Sequence, residues 1–422
     1  MLPLFVNKRR LFSLITLFKT SIIPFNTYLS WPNCIYTLPK KVFYKAFLAV
    51  LILSVACVDP YLATFAGTGK ATILVIDGRL TNDPSVNHVN ITEAIPSGKS
   101  GTSFLGVSGA KVNVLVNESA SIPLNEVQSG RYEFPNGFAG EFGKNYKLKI
   151  TTSEGKFFES KSEPMLNTPG IEKVYDTFDI EAVKTITSRS PGFNIYIDMK
   201  DPVEEENYYM WDWRYYESQV WCKTCSNGYY YNDASTDSLG ECRPDNFRRG
   251  KYDYYCKSPC WQVYRSENFN IMNDDFSNGQ LVKNRLVASI PLYSYEGALM
   301  EVRQFSVSED AYDYLRLIIS QGQETGGLAD TPPATLVGNI VSRNPDQLVT
   351  GYFIVSSVTK ALHWMDKRNV QGNVRAIGLF PDKRLARPEP LSESTTRPPL
   401  AACLARDSRT TITPTGWLYG EK

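Results

Sequence analysis

Apolar residues recur at every second position through most of this chain, in short runs separated by turns. "ATILVIDGRL" (residues 71–80) contains a β-branched run closed by Asp-Gly, and "HVNITEA" (88–94) alternates apolar with polar side chains. "GAKVNVLVN" (109–117) places Val112, Val114 and Val116 on one face, as a period of two requires. "SGRYEFP" and "GKNYKLKITTSEGKFFES" continue the pattern, with glycine-containing turns between them. Strands of this length and spacing predict an antiparallel β-sandwich over residues 71–163. "SEPMLNTPG" (162–170) interrupts the pattern with two prolines and a glycine and reads as a hinge.

A second β-sandwich is predicted over residues 171–380. "IEKVYDTFDI", "FNIYIDMKDP" and "NYYMWDWRYYESQ" open it, and "LVASIPLY", "LMEVRQFSVS" and "QLVTGYFIVSSVT" complete it. Between these groups lies an insertion, residues 218–283, rich in Cys, Tyr, Asn and Asp and without apolar periodicity. One segment switches to a helical period, "SEDAYDYLRLIISQGQE" (308–324). Ser308 is placed to cap it, Glu309 and Asp310 suit its dipole, and Ala311, Leu315, Ile318 and Ile319 form its apolar stripe. Residues 381–422 form a Pro-rich C-terminal tail. The predicted fold class is therefore all-β dominated, with two β-sandwich domains, a Cys/Tyr-rich insertion and one short helix in the second. The order Gly-Ala-x-Val-x-Val, Gly-x-Tyr, Tyr-x-Leu-x-Ile in the first resembles transthyretin-like and carboxypeptidase-regulatory-like domains. That resemblance implies immunoglobulin/transthyretin-like sandwiches with structural or adhesive roles.

Upstream of the strands the pattern changes to a continuous apolar run, Ala46 to Ala56. It is about half the length a membrane-spanning helix needs. Lys40, Lys41 and Lys45 precede it and the small residue Ala56 closes it, the arrangement of a secretory signal over residues 1–56. Cys57 follows directly, and "LSVAC" resembles a bacterial lipobox, departing from it at Ser54. A lipidated Cys57 would anchor the chain in membrane lipid, since each buried methylene contributes about 0.8 kcal/mol. The alternative is a core strand that happens to contain Cys57. Residues 57–70 are then an N-terminal linker. Residues 1–39 have two readings: a long positively charged n-region, or sequence ahead of a true start near Leu38 or Val42.

Charge adds an exclusion. Lys and Arg number 45 against 44 Asp and Glu, so no basic stripe points to nucleic acid. Tyr numbers 25 and His only two, which suits strand-rich extracytoplasmic proteins better than imidazole chemistry. His88 and His363 stand in no partner motif, and no nucleophile elbow, phosphate loop or His-Glu-x-x-His occurs. No catalytic residues, metal or cofactor are expected. "DMKDPVEEENYY" gathers Asp198, Asp201 and Glu204 to Glu206; a solvated turn is favoured there over a calcium site or a glycosidase pair.

The strongest local constellation is Cys222, Cys225, Cys242, Cys256 and Cys260, with Cys403 far downstream. Cys-x-x-Cys followed by Cys-x-x-x-Cys has zinc-ligand spacing, but an exported chain enters a compartment where such cysteines pair. Structural disulfides are the favoured reading, zinc the alternative, and the connectivity stays open. The odd count inside the insertion makes Cys403 the natural sixth partner. Aromatics crowd the same region, with 17 of the 63 residues from Asn207 to Phe269 being Phe, Tyr or Trp. Trp221, Tyr229, Tyr230, Tyr231, Tyr254, Tyr255 and Trp261 are candidates for a glycan- or peptide-binding surface. The alternative is that they pack the insertion in place of an aliphatic core. For "YYMWDWRYY" the alternation favours one buried face.

"CVDPY", "LVIDGRLTNDP", "GAKVNV", "GRYEF" and "YKLKI" resemble a lipoprotein family of Bacteroidota defined by domain of unknown function 4249. So does the segment from Val302 to Val358, "VRQFSVSEDAYDYLRLIISQGQETGGLADTPPATLVGNIVSRNPDQLVTGYFIVSSV". The ending, Pro-Pro, Cys, then Pro-x-x-Trp, is similar too, but the family's second cysteine three residues on is replaced here by Arg406. That departure fits Cys403 pairing elsewhere. The resemblance implies a non-enzymatic outer-membrane lipoprotein, facing the cell surface or the periplasm, that assists a TonB-dependent transporter in nutrient capture. Direct glycan or peptide binding is the alternative, and an unrecognised hydrolase the third reading.

Overall fold

The computed structural model describes residues 72–419 apart from 97–101, 186–187, 204–205, 232–239, 324–335, 379, 381–383 and 391–398. The predicted export segment, Cys57 and the linker lie outside the described residues. The described chain is mostly β, as its alternation predicts, with one α-helix, α1 (Glu309–Gln323).

The first sandwich forms where the alternation is cleanest. One sheet pairs Ile73–Thr81 with His88–Pro96 and continues through Arg131–Glu133 to Asn125–Gln128; the other is built on Lys111–Val116, Asn145–Thr151 and Phe157–Ser160. Ile76, Leu80, Val89 and Ile91 from one sheet meet Val112, Val114, Tyr146, Leu148 and Ile150 from the other in a single core. Successive strand residues point to opposite faces, so these positions bury together.

Two strands of this sandwich come from far downstream. Val349–Ser356 lies parallel to Ile73–Thr81, and Ile340–Ser342 pairs with Phe157–Ser160. This corrects the expectation that "QLVTGYFIVSSVT" belongs wholly to the second sandwich. The strand is buried on both faces, with Phe353 and Val355 in the first core and Tyr352 and Ile354 under the helix, so its pattern does not disclose its partner. Gly351 permits the pairing: it sits at φ 113°, and a Cβ there would stand 1.9 Å from the Ile76 carbonyl oxygen. After Ser357 the chain resumes as Val358–Met365, now paired with Ala298–Val307 of the second sandwich.

In the second sandwich a three-stranded sheet (Ile171–Lys184, Arg189–Lys200, Leu281–Pro291) faces one ordered Val358–Met365, Ala298–Val307, Tyr208–Ser218, Trp261–Arg265, Arg409–Thr410. Phe193, Ile195 and Ile197 pack against Tyr209, Trp211, Tyr215 and Met300. The buried face expected of "YYMWDWRYY" is therefore present. The insertion is narrower than 218–283, because Trp261–Arg265 and Asn270–Asn273 both pair with Tyr208–Ser218. The Pro-rich stretch after residue 380 contributes a strand as well, since Arg409–Thr410 extends this sheet.

The predicted hinge is pinned. Thr168 Oγ1 donates to the Ser357 carbonyl (2.8 Å), and Ser357 Oγ to that of Leu166 (2.6 Å). Arg79 of the first sandwich and Arg303 of the second converge on Asp212 of the second. Helix α1 covers the junction: Ala311, Tyr312 and Leu315 pack on Met210, Phe305, Tyr352 and Ile354. Ile318 and Ile319 of the expected stripe are only half-buried. Ser308 caps the helix, accepting from the Ala311 amide (3.3 Å) and donating to the buried Glu163 (2.7 Å).

Candidate functional site

Between Trp221 and Tyr255 the chain folds into two small ribbons. Trp221–Ser226 pairs with Lys251–Tyr255, and Gly228–Tyr231 with Glu241–Pro244. Asn227, at φ 53°, turns the chain between them. Gly228 then passes so close to the facing strand that a Cβ would lie 2.1 Å from the Arg243 carbonyl oxygen.

Three bridges close this module: Cys222–Cys256, Cys225–Cys242 and Cys260–Cys403. Its core consists of Cys222, Cys225, Cys256, Cys260 and Cys403 with Tyr230, Tyr252, Tyr254 and Ala401, and contains no Leu, Ile or Val. A core without Leu, Ile or Val has little aliphatic area to bury, so cross-links carry the stability. The sulfurs of Cys222, Cys256 and Cys260 lie within 4.8 Å of one another, but each is bonded to another sulfur and offers no thiolate for zinc.

The chain's end completes the module. Ala401 sits beside Cys256, donating to the Tyr255 carbonyl (2.8 Å) and accepting from the Lys257 amide (2.9 Å). Trp417 packs edge-on against both Trp261 and Trp364. Asp253 is fully buried and accepts from both terminal nitrogens of Arg384 (2.5 and 2.6 Å), the Arg387 amide (2.8 Å) and Thr224 Oγ1 (2.8 Å). Burial by itself would raise this carboxyl's pKa; the Arg384 guanidinium and the other donors outweigh it and hold the group below the usual carboxylate range.

The aromatic residues expected to form a binding surface divide. Tyr230, Tyr254 and Trp261 are buried, which corrects their assignment to a surface: they are the module's core and its footing on the sandwich. Tyr231 lies under the Arg243 guanidinium (3.5 Å) and Tyr229 near that of Arg248 (5.1 Å). Trp221 and Tyr255 stack on each other with centroids 3.9 Å apart. Trp221 alone of the seven lines a cleft of about 630 Å³ between module and second sandwich. Tyr264, Tyr293, Phe380, Lys223, Arg406 and Arg409 share its wall. Periodicity had no means of finding these, because they come from five separate stretches of sequence.

Beneath the cleft, Tyr264 and Tyr293 stack at 4.2 Å and 10°. Below them is a buried ion pair: Lys367 Nζ donates to both Glu217 oxygens (2.9 and 3.0 Å) and to the Ser294 carbonyl (3.2 Å). Ser294 Oγ also donates to Glu217 (2.5 Å). Burial, reinforced by the Glu217 charge, pushes Tyr293 up to about 12 and Tyr264 higher than its usual value. Both phenols stay neutral and can stack or donate, but they do not serve as bases near neutral pH. Glu217 is saturated with donors and almost wholly buried, so it presents no carboxylate to the cleft.

Of the other groups considered from the sequence, Glu204 and Glu205 lie outside the described residues, and the rest have structural partners, Glu206 accepting from Tyr208 (3.4 Å). Asp201 is buried and accepts from Tyr209 (2.5 Å) and the Gly279 amide (2.8 Å), while Asp198 accepts from Tyr175 (3.3 Å) and the Asn284 amide (2.9 Å). His88 contacts the Val86 carbonyl through Nδ1 (2.9 Å), and burial lowers its pKa. His363 Nε2 meets Asp176 at 2.6 Å.

No curated protein and no solved structure matches the chain. A family profile does match, over residues 58–361, and its description is "Domain of unknown function (DUF4249)". Cys403, Arg406 and Arg409 lie beyond the matched segment. With most of its length covered by that profile, the chain belongs to the DUF4249 family.

Proposed function

We propose that the protein is a lipid-anchored, non-enzymatic interaction protein of a Bacteroidota outer membrane, assisting a TonB-dependent transporter in nutrient capture. The observation that carries this reading is cysteine parity. All six described cysteines are consumed in three bridges, which form and persist in oxidising compartments outside the cytoplasm. Cys57 is needed for none of them, and it stands directly after the apolar run and Ala56. An exported thiol at that position is free to carry acyl chains. The bridged module then gives the anchored body a rigid feature to present to a partner or ligand.

The test is metabolic labelling with an alkynyl fatty acid, combined with affinity purification from detergent-solubilised membranes. Label is expected on the native chain and absent from Cys57→Ser, which should fractionate away from membranes. A TonB-dependent transporter is expected to co-purify with the labelled form. Unlabelled native protein would remove the anchor, and purification without any transporter would remove the accessory role. A second reading, direct binding of a glycan or peptide, is favoured by the aromatic cleft itself.

A further inference from the structure

Among the described residues, the cleft beside the bridged module is lined by positive charge without a lining counter-charge. Its described charged lining residues are Lys223, Arg406 and Arg409, and no described carboxylate lines it. Arg406 and Arg409 exchange backbone hydrogen bonds across a tight turn (2.9 and 3.1 Å), which places their side chains on the same face. Arg409 Nη1 donates only to the Cys222 carbonyl (3.2 Å) among the described residues. Burial and the like charge of Arg406 both lower its pKa, the condition of a cation that lacks an anion. Asp407, in the turn between them, is not part of the lining and acts electrostatically on Arg265. The nearby Glu217 is neutralised from below by Lys367.

The remaining walls are flat. Tyr255 covers one face of Trp221 and belongs to a separate recess with Val220, Cys256 and Ser258. The indole's opposite face is therefore the one turned to the cleft. Phe380 and the stacked pair Tyr264–Tyr293 supply further rings. At about 630 Å³ the cleft falls within the range of small-molecule sites, which combine apolar or aromatic walls with a few placed polar groups. Paired guanidiniums suit a planar carboxylate, and an aromatic face suits the C–H face of a sugar ring.

We infer that this cleft binds a uronic-acid saccharide, with a pyranose ring on Trp221 and its carboxylate on Arg406 and Arg409. Lys223 adds a third, more mobile charge. The inference gives a ligand class to the second reading above, and its failure leaves the tests of anchor and transporter untouched.

Calorimetric titration of the disulfide-intact mature chain decides it, using a panel of uronate oligosaccharides, neutral oligosaccharides of equal length, and poly-glutamate. Saturable uronate binding is expected, at least tenfold tighter than for the neutral sugars and weakened by added salt. Arg406→Gln, at an exposed position, should weaken it about tenfold without affecting folding, and Arg409→Gln by at least as much. Trp221→Ala should abolish it, and Trp221→Phe should restore part. Absence of binding to every uronate, or equal affinity for neutral sugars, would overturn the inference. So would poly-glutamate binding as tightly while ignoring Trp221→Ala, which would identify an acidic-peptide site instead.

Discussion

Two buried carboxylates show how differently two parts of this molecule are held. At the seam between the sandwiches, Glu163 collects neutral donors: Ser308 (2.7 Å), Asn339 (2.9 Å) and Tyr352 (2.8 Å). In the bridged module, Asp253 collects a guanidinium, an amide and a hydroxyl, beside a core made of sulfur and phenol. The seam already has aliphatic burial and a strand that runs from one sandwich into the next, so its polar groups serve to fix register. The module has no such burial, and charge and covalent bonds take its place. Where apolar periodicity fails, the chain substitutes cross-links, and these tie in residues more than a hundred positions away.

This contrast predicts where damage stays confined. The largest effect is expected from Cys260→Ser with Cys403→Ser, which opens a bridge spanning 143 residues. Loop-closure entropy puts the loss at up to about 5 kcal/mol. Hydrogen exchange and limited proteolysis should show it confined to the module and residues 384–419, with the sandwiches still protected. Equal loss of protection in the first sandwich would break the comparison.

Next is Arg384→Ala, which leaves Asp253 buried without its cation and should cost about 3 kcal/mol within the module. The Asp253 carboxyl has a depressed pKa in the folded state, so the stability it contributes is present above the usual carboxylate range. It is lost as pH falls through the depressed value. Exchange of module amides should accelerate on acidification in the native chain, and this acid-dependent step should shrink in Arg384→Ala. A variant with an unchanged acid profile would assign the step to another group.

On the other side of the comparison stands Gly351→Ala. The backbone conformation alone should cost on the order of 1–3 kcal/mol. Here thermal unfolding of the sandwiches should move while the module's three bridges map unchanged by mass spectrometry. The smallest effect is expected from Arg79→Ala, at about 1 kcal/mol, because Asp212 keeps its two-point contact with Arg303 (2.5 and 2.7 Å). A denaturant midpoint that barely shifts, with an unchanged slope, checks it.

Much of the local structure was legible. Val112 and Val114 alternate and are buried, Ser308 caps the helix it was expected to cap, and the six cysteines pair with Cys403 included. The aromatic residues were legible only as a crowd. Tyr230 and Tyr254 have the composition of a binding surface yet form a core, because the ribbons that bring them together depend on bridges whose connectivity sequence spacing leaves open. The cleft was invisible for a related reason: Trp221, Tyr264, Tyr293 and Arg409 share no motif and meet only after Arg409–Thr410 joins the sheet edge.

By itself, then, the amino-acid order determined which positions share a face along the alternating strands, where the helix begins, and that the cysteine-rich stretch needs cross-links. Those properties follow from side-chain period, capping chemistry and, in the insertion, the lack of apolar periodicity, all read within about ten neighbours. Only the tertiary structure decided that Val349–Ser356 completes the first sandwich, that the hinge is a hydrogen-bonded seam, and that the C-terminal residues wall a cationic aromatic cleft. A period of two states that a face is covered but not by what. The covering partner is chosen by packing between segments hundreds of residues apart, where strand edges, a glycine's close approach and a disulfide select one arrangement among many compatible with the same pattern.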